Sequence, residues 1–169
     1  MKIARKSRRH VSHHGEPVIL FAAGEYTFAA PANEVDEIRD LQGLNSVSSA
    51  TEGTSVSKVK STLERARRTY YVVDACQHFH QAKSSPSRLI VLRDHPIAVL
   101  VDSIDRMMEL DKVLPLPRAF SGQERSWYSG LALMGEAVVP VVNMNAFLSP
   151  AEQVIAKSAV TRLAKGVMA

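Results

Sequence analysis

One phrase of the sequence occurs twice, and this internal repeat constrains the fold more than any other feature. The segment 26–38 aligns without gaps with 95–107, so that Ala29 meets Ala98. A second segment, YYVVDACQHF, is similar to the later segment VPVVNMNAF, which has one residue fewer before its phenylalanine. Short apolar runs that recur in the same order predict two related halves built from the same elements.

Each half contains short β-prone runs separated by turn signals. Residues 18–30 carry a hairpin pattern, and segment 33–38 is typical of a capped turn of helix with Val35 and Ile38 facing inward. Residues 44–62 are rich in Ser, Thr and Gly and predict a mobile loop. Short strands of this kind predict small barrels or curled sheets, because closure removes exposed strand edges.

The repeat and the polar stretches predict the domain organisation. We expect a flexible basic arm over residues 1–15 and one folded domain over residues 16–150. The repeat divides this domain into a first subdomain at about 17–84 and a second at about 85–147. We expect a C-terminal helix over residues 149–166 to pack on the body.

The C-terminal helix has the clearest local signals. Ser149 is a good N-cap, Pro150 suits the first helical position, and Glu152 completes a capping box. An apolar stripe at helical spacing follows: Ile155, Ala159 and Leu163, with Val160 beside them.

The net charge of +4 belongs mainly to the predicted arm. Five of the 21 basic residues precede Glu16, which is the first acidic residue, and the rest of the chain has 16 basic against 17 acidic residues. The body is therefore close to neutral, and general affinity for polyanions does not follow. The single cysteine, Cys76, excludes an internal disulfide and fits a reducing cytoplasm. No apolar run approaches the ~20 residues that a membrane-spanning helix requires.

No motif for catalysis or cofactor binding is present, and we predict no enzyme activity and no cofactor. The sequence contains no Gly-x-Ser-x-Gly, phosphate-loop or dinucleotide glycine pattern. Cys76, His78 and His80 alternate and could face one side of a strand as metal ligands. We favour a buried thiol and exposed imidazoles instead, and predict no metal site.

The order of these phrases resembles the CheW-like domain of bacterial chemotaxis coupling proteins. The resemblance rests on the segments VDEIR, VVD, AVLVD, LP and WYSGL in this order and spacing. It implies a mainly β fold of two SH3-like five-stranded barrels with a hydrophobic groove between them, together with short helices. It also implies a non-catalytic scaffold that links the cytoplasmic tip of chemoreceptors to the regulatory domain of a CheA-type histidine kinase.

The resemblance also indicates which residues contact partners. The family's Val-x-Glu-Ile motif falls on Val35, Glu37 and Ile38, and in the family this glutamate lies near an arginine. Arg65 and Arg67 flank the corresponding position, which Ala66 occupies, and no glycine follows. We add three aromatic residues to the predicted interaction surface: Tyr71, where the family usually has proline, and Trp127 and Tyr128, which adjoin a polar loop.

Two functions remain open at this point. The first is a cytoplasmic adaptor in a chemosensory array, associated with membrane receptors but without membrane insertion. The second is a small β-barrel protein that binds nucleic acid through its basic arm. We rank the second lower, and expect no specific nucleic acid, because the body lacks basic residues interleaved with surface aromatics.

Overall fold

The structure is a computed structural model that describes residues 15–46, 56–82 and 85–167, with only the backbone described at 162–164 and 166–167. Residues 1–14 of the predicted arm lie outside the described residues. The elements are β1 (Glu16–Ala23), β2 (Tyr26–Pro31), β3 (Val35–Arg39), β4 (Leu44–Ser46), β5 (Val59–Arg65), β6 (Arg68–Asp74), α1 (Ala75–His78), β7 (Arg88–Leu92), β8 (Ile97–Val101), β9 (Ser103–Leu110), β10 (Val113–Leu114), β11 (Tyr128–Met134), β12 (Ala137–Val142) and α2 (Pro150–Val167).

The strands form two six-stranded sheets, which confirms the mainly β prediction. Sheet A has the order β10-β11-β12-β2-β1-β9, and sheet B has the order β4-β5-β6-β8-β7-β3. Each sheet has one strand more than the five expected, because a short strand, β10 or β4, is added at one edge. Neighbouring strands are antiparallel except for β2 with β12 and β6 with β8, which are parallel.

Each sheet combines a hairpin from one half of the sequence with strands from the other half. The hairpin β1–β2 lies in sheet A with β9 to β12, and the hairpin β7–β8 lies in sheet B with β3 to β6. The two halves have therefore exchanged their hairpins. The boundary near residue 84 separates the two repeats in the sequence, but each sheet contains strands from both sides of that boundary.

The strand register follows the ungapped repeat. Ala29 of β2 pairs with Val141 of β12, and Ala98 of β8 pairs with Val72 of β6. The residues that the repeat aligns thus occupy equivalent places beside equivalent partners. The repeat in the sequence is a repeat in the structure.

Alternation along the central strands produces three separate cores. In β1, Val18 and Leu20 face a core within sheet A, while Ile19 and Phe21 face a core shared by both sheets. In sheet B, Leu89 and the other residues of its inner core alternate in the same way with residues of the shared core. Because side chains in a strand alternate between faces, a strand with two buried faces carries an unbroken apolar run.

Both sheets curl around their own cores. The core of sheet A contains residues from β1, β2, β9, β11 and β12, which span nearly the whole width of the sheet. A flat sheet would hold its outer strands too far apart to share one cluster, since neighbouring strands lie about 4.8 Å apart. The inner cores therefore have the character of small barrels, and the shared core forms the seam between them.

Two local predictions are wrong. Segment 33–38 is not a helical turn: a 3-10 turn ends at Glu34, and β3 follows, with Val35 buried and Ile38 exposed. Pairing with β7 overrides the weak capping signal. The loop predicted over 44–62 is ordered at both ends, because Leu44–Ser46 and Val59–Arg65 pair as β4 and β5. Residues 47–55 of that loop lie outside the described residues.

Equivalent polar residues cap the turns that end the two halves. The Asp74 carboxylate accepts hydrogen bonds from the backbone N–H groups of Cys76 and Gln77, and the Asn143 side chain accepts one from Asn145 N–H. Each side chain satisfies N–H groups that a short helix leaves without intrahelical partners.

The predicted capping box of α2 is confirmed. Ser149 N–H donates to the Glu152 carboxylate at 2.8 Å, and Glu152 N–H donates to the Ser149 hydroxyl at 3.2 Å. The predicted stripe needs correction: Ala156 enters the shared core and Val160 packs against it, whereas Ile155 is exposed. The Leu163 side chain lies outside the described residues.

Candidate protein-interaction site

Arg65 joins opposite sides of the curled sheet B. Its Nη1 lies 2.7 Å from Asp36 Oδ2, and its Nε lies 2.8 Å from Glu37 Oε2. The two carboxylates are on β3, at one edge of the sheet, whereas Arg65 ends β5, the second strand from the other edge. One guanidinium therefore bridges the gap across which the sheet curls. Of the two arginines that the sequence left open as partners of Glu37, Arg65 forms the ion pair.

A β-bulge explains why two consecutive carboxylates reach one guanidinium. In a regular strand, Asp36 and Glu37 would point to opposite faces. The register of β3 against β7 shifts between Val35 and Glu37, so an extra residue is inserted there. A bulge turns the side chains around it and allows both carboxylates to face Arg65.

Hydrogen bonding and charge at this bridge favour the ionised arginine. The hydrogen bond to Asp36 is the main cause that raises the pKa of Arg65, and Tyr70 and Glu37 add to it. All three charged side chains are about one-third exposed. A partially exposed, bidentate contact of this kind orients its groups more than it stabilises the fold.

The other predicted site residues of sheet B differ in exposure. Val35 and Tyr71 are buried in the shared core, where they serve packing, although Tyr71 also lines a groove. Ile38 is 37% exposed on the same strand as Glu37. Arg67 is exposed at the turn between β5 and β6. Glu37, Ile38, Arg65 and Arg67 thus form the part of the predicted set that sheet B presents at its surface, with Arg67 at the turn and the other three around the ion pair.

Trp127 and Tyr128 belong to an aromatic cluster at the seam. Phe28 and Phe79 stack with ring centroids 4.3 Å apart, and Tyr128 stacks on Phe79 at 5.8 Å. Trp127 lies 4.9 Å from the ring of His78. Both predicted residues are half-buried, so each combines a packing role with an accessible edge.

His78 is the polar centre of this cluster. Only 3% of the residue is exposed, although exposed imidazoles were predicted here. Lys58 Nζ lies 3.2 Å from His78 Nδ1 and 3.1 Å from Glu152 Oε2. Burial, followed by the charges of Lys58 and His80, lowers the pKa of His78 to about 3. Because an ammonium can only donate, Nδ1 is the acceptor, and the proton of the neutral ring is on Nε2.

Two grooves occupy equivalent places on the two sheets. One, of about 580 Å³, is lined by Tyr71 of β6, by Pro96 in the turn before β8, and by Val154 and Val160 of α2. The other, of about 390 Å³, is lined by Phe120 of the loop between β10 and β11 and by groups of sheet A: Tyr26, Phe28, Tyr128, Val138 and Pro140. Helix α2 borders only the first groove, so α2 breaks the symmetry of the repeat.

Several contact residues were not predicted from the sequence. Asp36 was missed because regular alternation directs it away from Glu37, and no sequence signal marks the bulge. Lys58 and Glu152 are 94 positions apart in the numbering and meet only through the fold. Phe79 and Phe147 could have been found, since the repeat places the two phenylalanines in equivalent positions.

Two absences in the described part of the chain concern metal sites and membrane helices. Within residues 15–46, 56–82 and 85–167, no group of three His, Cys, Asp or Glu side chains is arranged to hold a metal ion. In the same ranges, no helix combines the length and the apolar character needed to cross a membrane. The fold and the contacts define a two-sheet β protein with an ion-paired group and half-buried aromatic groups at its surface.

Comparison with known proteins identifies the family. The sequence profile of the CheW-like domain matches residues 17–152. The chain belongs to the CheW-like domain family. It is also similar in structure to the scaffolding protein TtCheW from Thermoanaerobacter tengcongensis, with a TM-score of 0.69 and 13% identity. That match covers 82% of this chain and 95% of TtCheW. No curated protein matches the sequence.

Proposed function

We propose that this protein is a non-catalytic scaffold that links chemoreceptors to a CheA-type histidine kinase in the cytoplasm, at membrane-associated receptor arrays. Family membership over residues 17–152 is the observation that carries the proposal. The near-neutral body supports it, because short-range contacts with protein partners require no large surplus of one charge. The kinase partner would be its regulatory domain, and the receptor partner its cytoplasmic tip.

The surface around Glu37, Ile38 and Arg65 is the proposed partner contact on sheet B. Arg65 holds the two acidic side chains in fixed positions, and Ile38 adds exposed apolar area beside them. A preorganised charged group loses little side-chain entropy on binding, which favours recognition. On sheet A, the aromatic groove beside Tyr128 offers the apolar surface for a second contact.

The proposal is tested by measuring whether the purified protein binds a CheA regulatory domain and a receptor cytoplasmic fragment from the same genome. We expect Glu37→Lys to weaken at least one of these complexes about tenfold, because it places a like charge beside Arg65. Glu109→Lys, at an exposed position on β9 of sheet A, is the matched control and should change neither affinity. Circular dichroism should show that both variants are folded.

Two results would contradict the proposal. Absence of binding to both partners at micromolar protein would exclude the scaffold function in this system. Equal affinities for wild type and Glu37→Lys would remove the Glu37 surface from the contact. Binding to duplex DNA that falls steeply with salt and depends on residues 2–9 would instead favour the nucleic-acid alternative.

A further inference from the structure

The hairpin that joins β5 to β6 has an unusual turn. Arg65 pairs with Arg68, so Ala66 and Arg67 form a two-residue loop. Both have positive φ angles, 49° for Ala66 and 61° for Arg67. This is the conformation of a type I′ turn, which favours Asn-Gly, because a side chain in the left-handed region is strained. The turn therefore holds two residues that its backbone disfavours.

The equivalent hairpin of sheet A shows that the fold accepts glycine at such a turn. Met134 pairs with Ala137, and the loop between them contains Gly135 with a φ of 62°. An added Cβ at Gly135 would meet nothing within 4 Å, so conformation rather than space favours glycine there. Gly135 takes the place of Ala66 in this turn, and Glu136 takes the place of Arg67. The fold therefore does not require an arginine at position 67, and a contact made by the Arg67 side chain outside the turn would account for its retention at a positive φ.

Arg67 and Arg68 give this tip two exposed positive charges. Arg68 lies over the ring of Tyr70, with Cζ 5.3 Å from the ring centroid, which restricts its guanidinium. Among the residues that the structure describes, Asp36 and Glu37 pair with Arg65, Glu64 accepts a hydrogen bond from the Thr69 hydroxyl, and no ion pair involves Arg67 or Arg68. The tip thus presents two guanidinium groups to an external partner.

We propose that the Arg67–Arg68 tip docks an acidic segment of a protein partner. The inference rests on the proposed scaffold function and adds the chemistry of one contact. Asp36, Glu37 and Glu64 lie on the strands that lead to the tip or face it. Arg65 offsets one of these three negative charges, which leaves a net negative surface beside the tip. That surface disfavours an extended polyanion such as a nucleic acid or a phosphatidylserine membrane, whereas a short acidic segment contacts only the tip.

Binding of a defined acidic peptide to the full chain tests this contact. The probe is a ten-residue peptide with six glutamates, and its control has glutamine at those six positions. Backbone and arginine side-chain NMR shifts report where the peptide binds, and the titration gives its affinity. We expect the glutamate peptide to shift Arg67 and Arg68, and the glutamine peptide to shift neither.

Substitution of Arg67 separates strain from binding. Arg67→Gly should raise the urea midpoint, because glycine relieves the positive-φ strain, and should weaken peptide binding about threefold or more. Arg67→Lys keeps both the charge and the strain and should bind within about twofold of wild type. Gly135→Ala is the matched control: we expect a lower urea midpoint and unchanged peptide affinity, because it strains the equivalent turn without changing charge.

Three outcomes would overturn the inference. Arg67→Gly could leave the urea midpoint unchanged, which would show that the turn is not strained. Peptide affinity could be equal in wild type and Arg67→Gly, which would show that the tip does not contact the acidic segment. Phosphatidylserine vesicles or duplex DNA could bind through Arg67 while the glutamate peptide does not, which would assign the tip to another class of partner.

Failure of this inference is distinguishable from failure of the scaffold function, because the peptide assay contains neither kinase nor receptor. If the kinase domain binds and peptide affinity is independent of Arg67, only the inference about the tip fails. If neither kinase nor receptor binds while the peptide depends on Arg67, the proposed function fails and the tip remains an acidic-segment site.

Discussion

Acidification should destabilise this protein through His78. The ring is buried and neutral, and its pKa is lowered from 6.5 to about 3. Between these two values the unfolded chain binds a proton at His78 that the folded chain does not bind. The free energy of unfolding therefore falls as the pH drops below about 6.5, and the loss ends near pH 3.

The size of the effect follows from the two pKa values. Each unit of pH below 6.5 costs about 1.4 kcal/mol while the folded ring stays neutral. At pH 5 the loss is about 2 kcal/mol relative to pH 7, a large fraction of the typical stability of about 5–15 kcal/mol. Glu34 acts in the opposite direction, because burial raises the pKa of its carboxyl group.

Urea unfolding of wild type and His78→Gln at pH 7 and pH 5 measures this contribution. Glutamine keeps an acceptor for Lys58 but does not titrate. We expect the wild type to lose about 2 kcal/mol more than His78→Gln between the two pH values. His80→Gln, at an exposed position beside it, is the control: it removes only the smallest of the three causes that lower the pKa of His78, so we expect it to keep most of the wild-type loss. An equal loss in wild type and His78→Gln would refute the reasoning.

Two further substitutions test the cap of α2 and the packing of the aromatic cluster. Ser149→Ala removes the hydroxyl of the capping box and should lower the free energy of unfolding, measured by urea denaturation, by about 1 kcal/mol. Ser149→Asp should restore this stability, because aspartate is also a good N-cap. No loss in the alanine variant would show that the cap is dispensable. Phe147→Ala removes a fully buried ring that packs on Phe79 and His78, and should cost about 3–5 kcal/mol. A calorimetric stability close to wild type would show that the seam does not depend on this ring.

The sequence predicted the fold where local and repeated signals agree. The apolar runs correspond to observed strands, and the capping box at Ser149 is present. The ungapped repeat agrees with the observed strand register. The helical turn over 33–38 was predicted wrongly because a capping residue and two apolar positions fit both a helix and a strand. Pairing with β7, a long-range contact, decides between them.

The contacts of the candidate site were harder to predict. The resemblance left Arg65 and Arg67 as possible partners of Glu37, and the ion pair is formed by Arg65. Asp36 joins them only because of a bulge, and a bulge leaves no periodic signal in the sequence. Likewise, His78 was expected to be exposed because imidazoles usually are. Its burial depends on Trp127 and Phe147, which come from the other half of the chain.

The exchange of hairpins between the halves has a consequence for the ancestry of this architecture. A half-length polypeptide, with one hairpin and one set of outer strands, could complete its pairings only by trading hairpins with a second copy of itself. The present chain has the arrangement that such an intertwined homodimer would have, with the two copies joined end to end. Covalent fusion of this kind removes the concentration dependence of assembly and leaves each copy free to diverge, which is how one side could acquire a terminal helix that the other lacks.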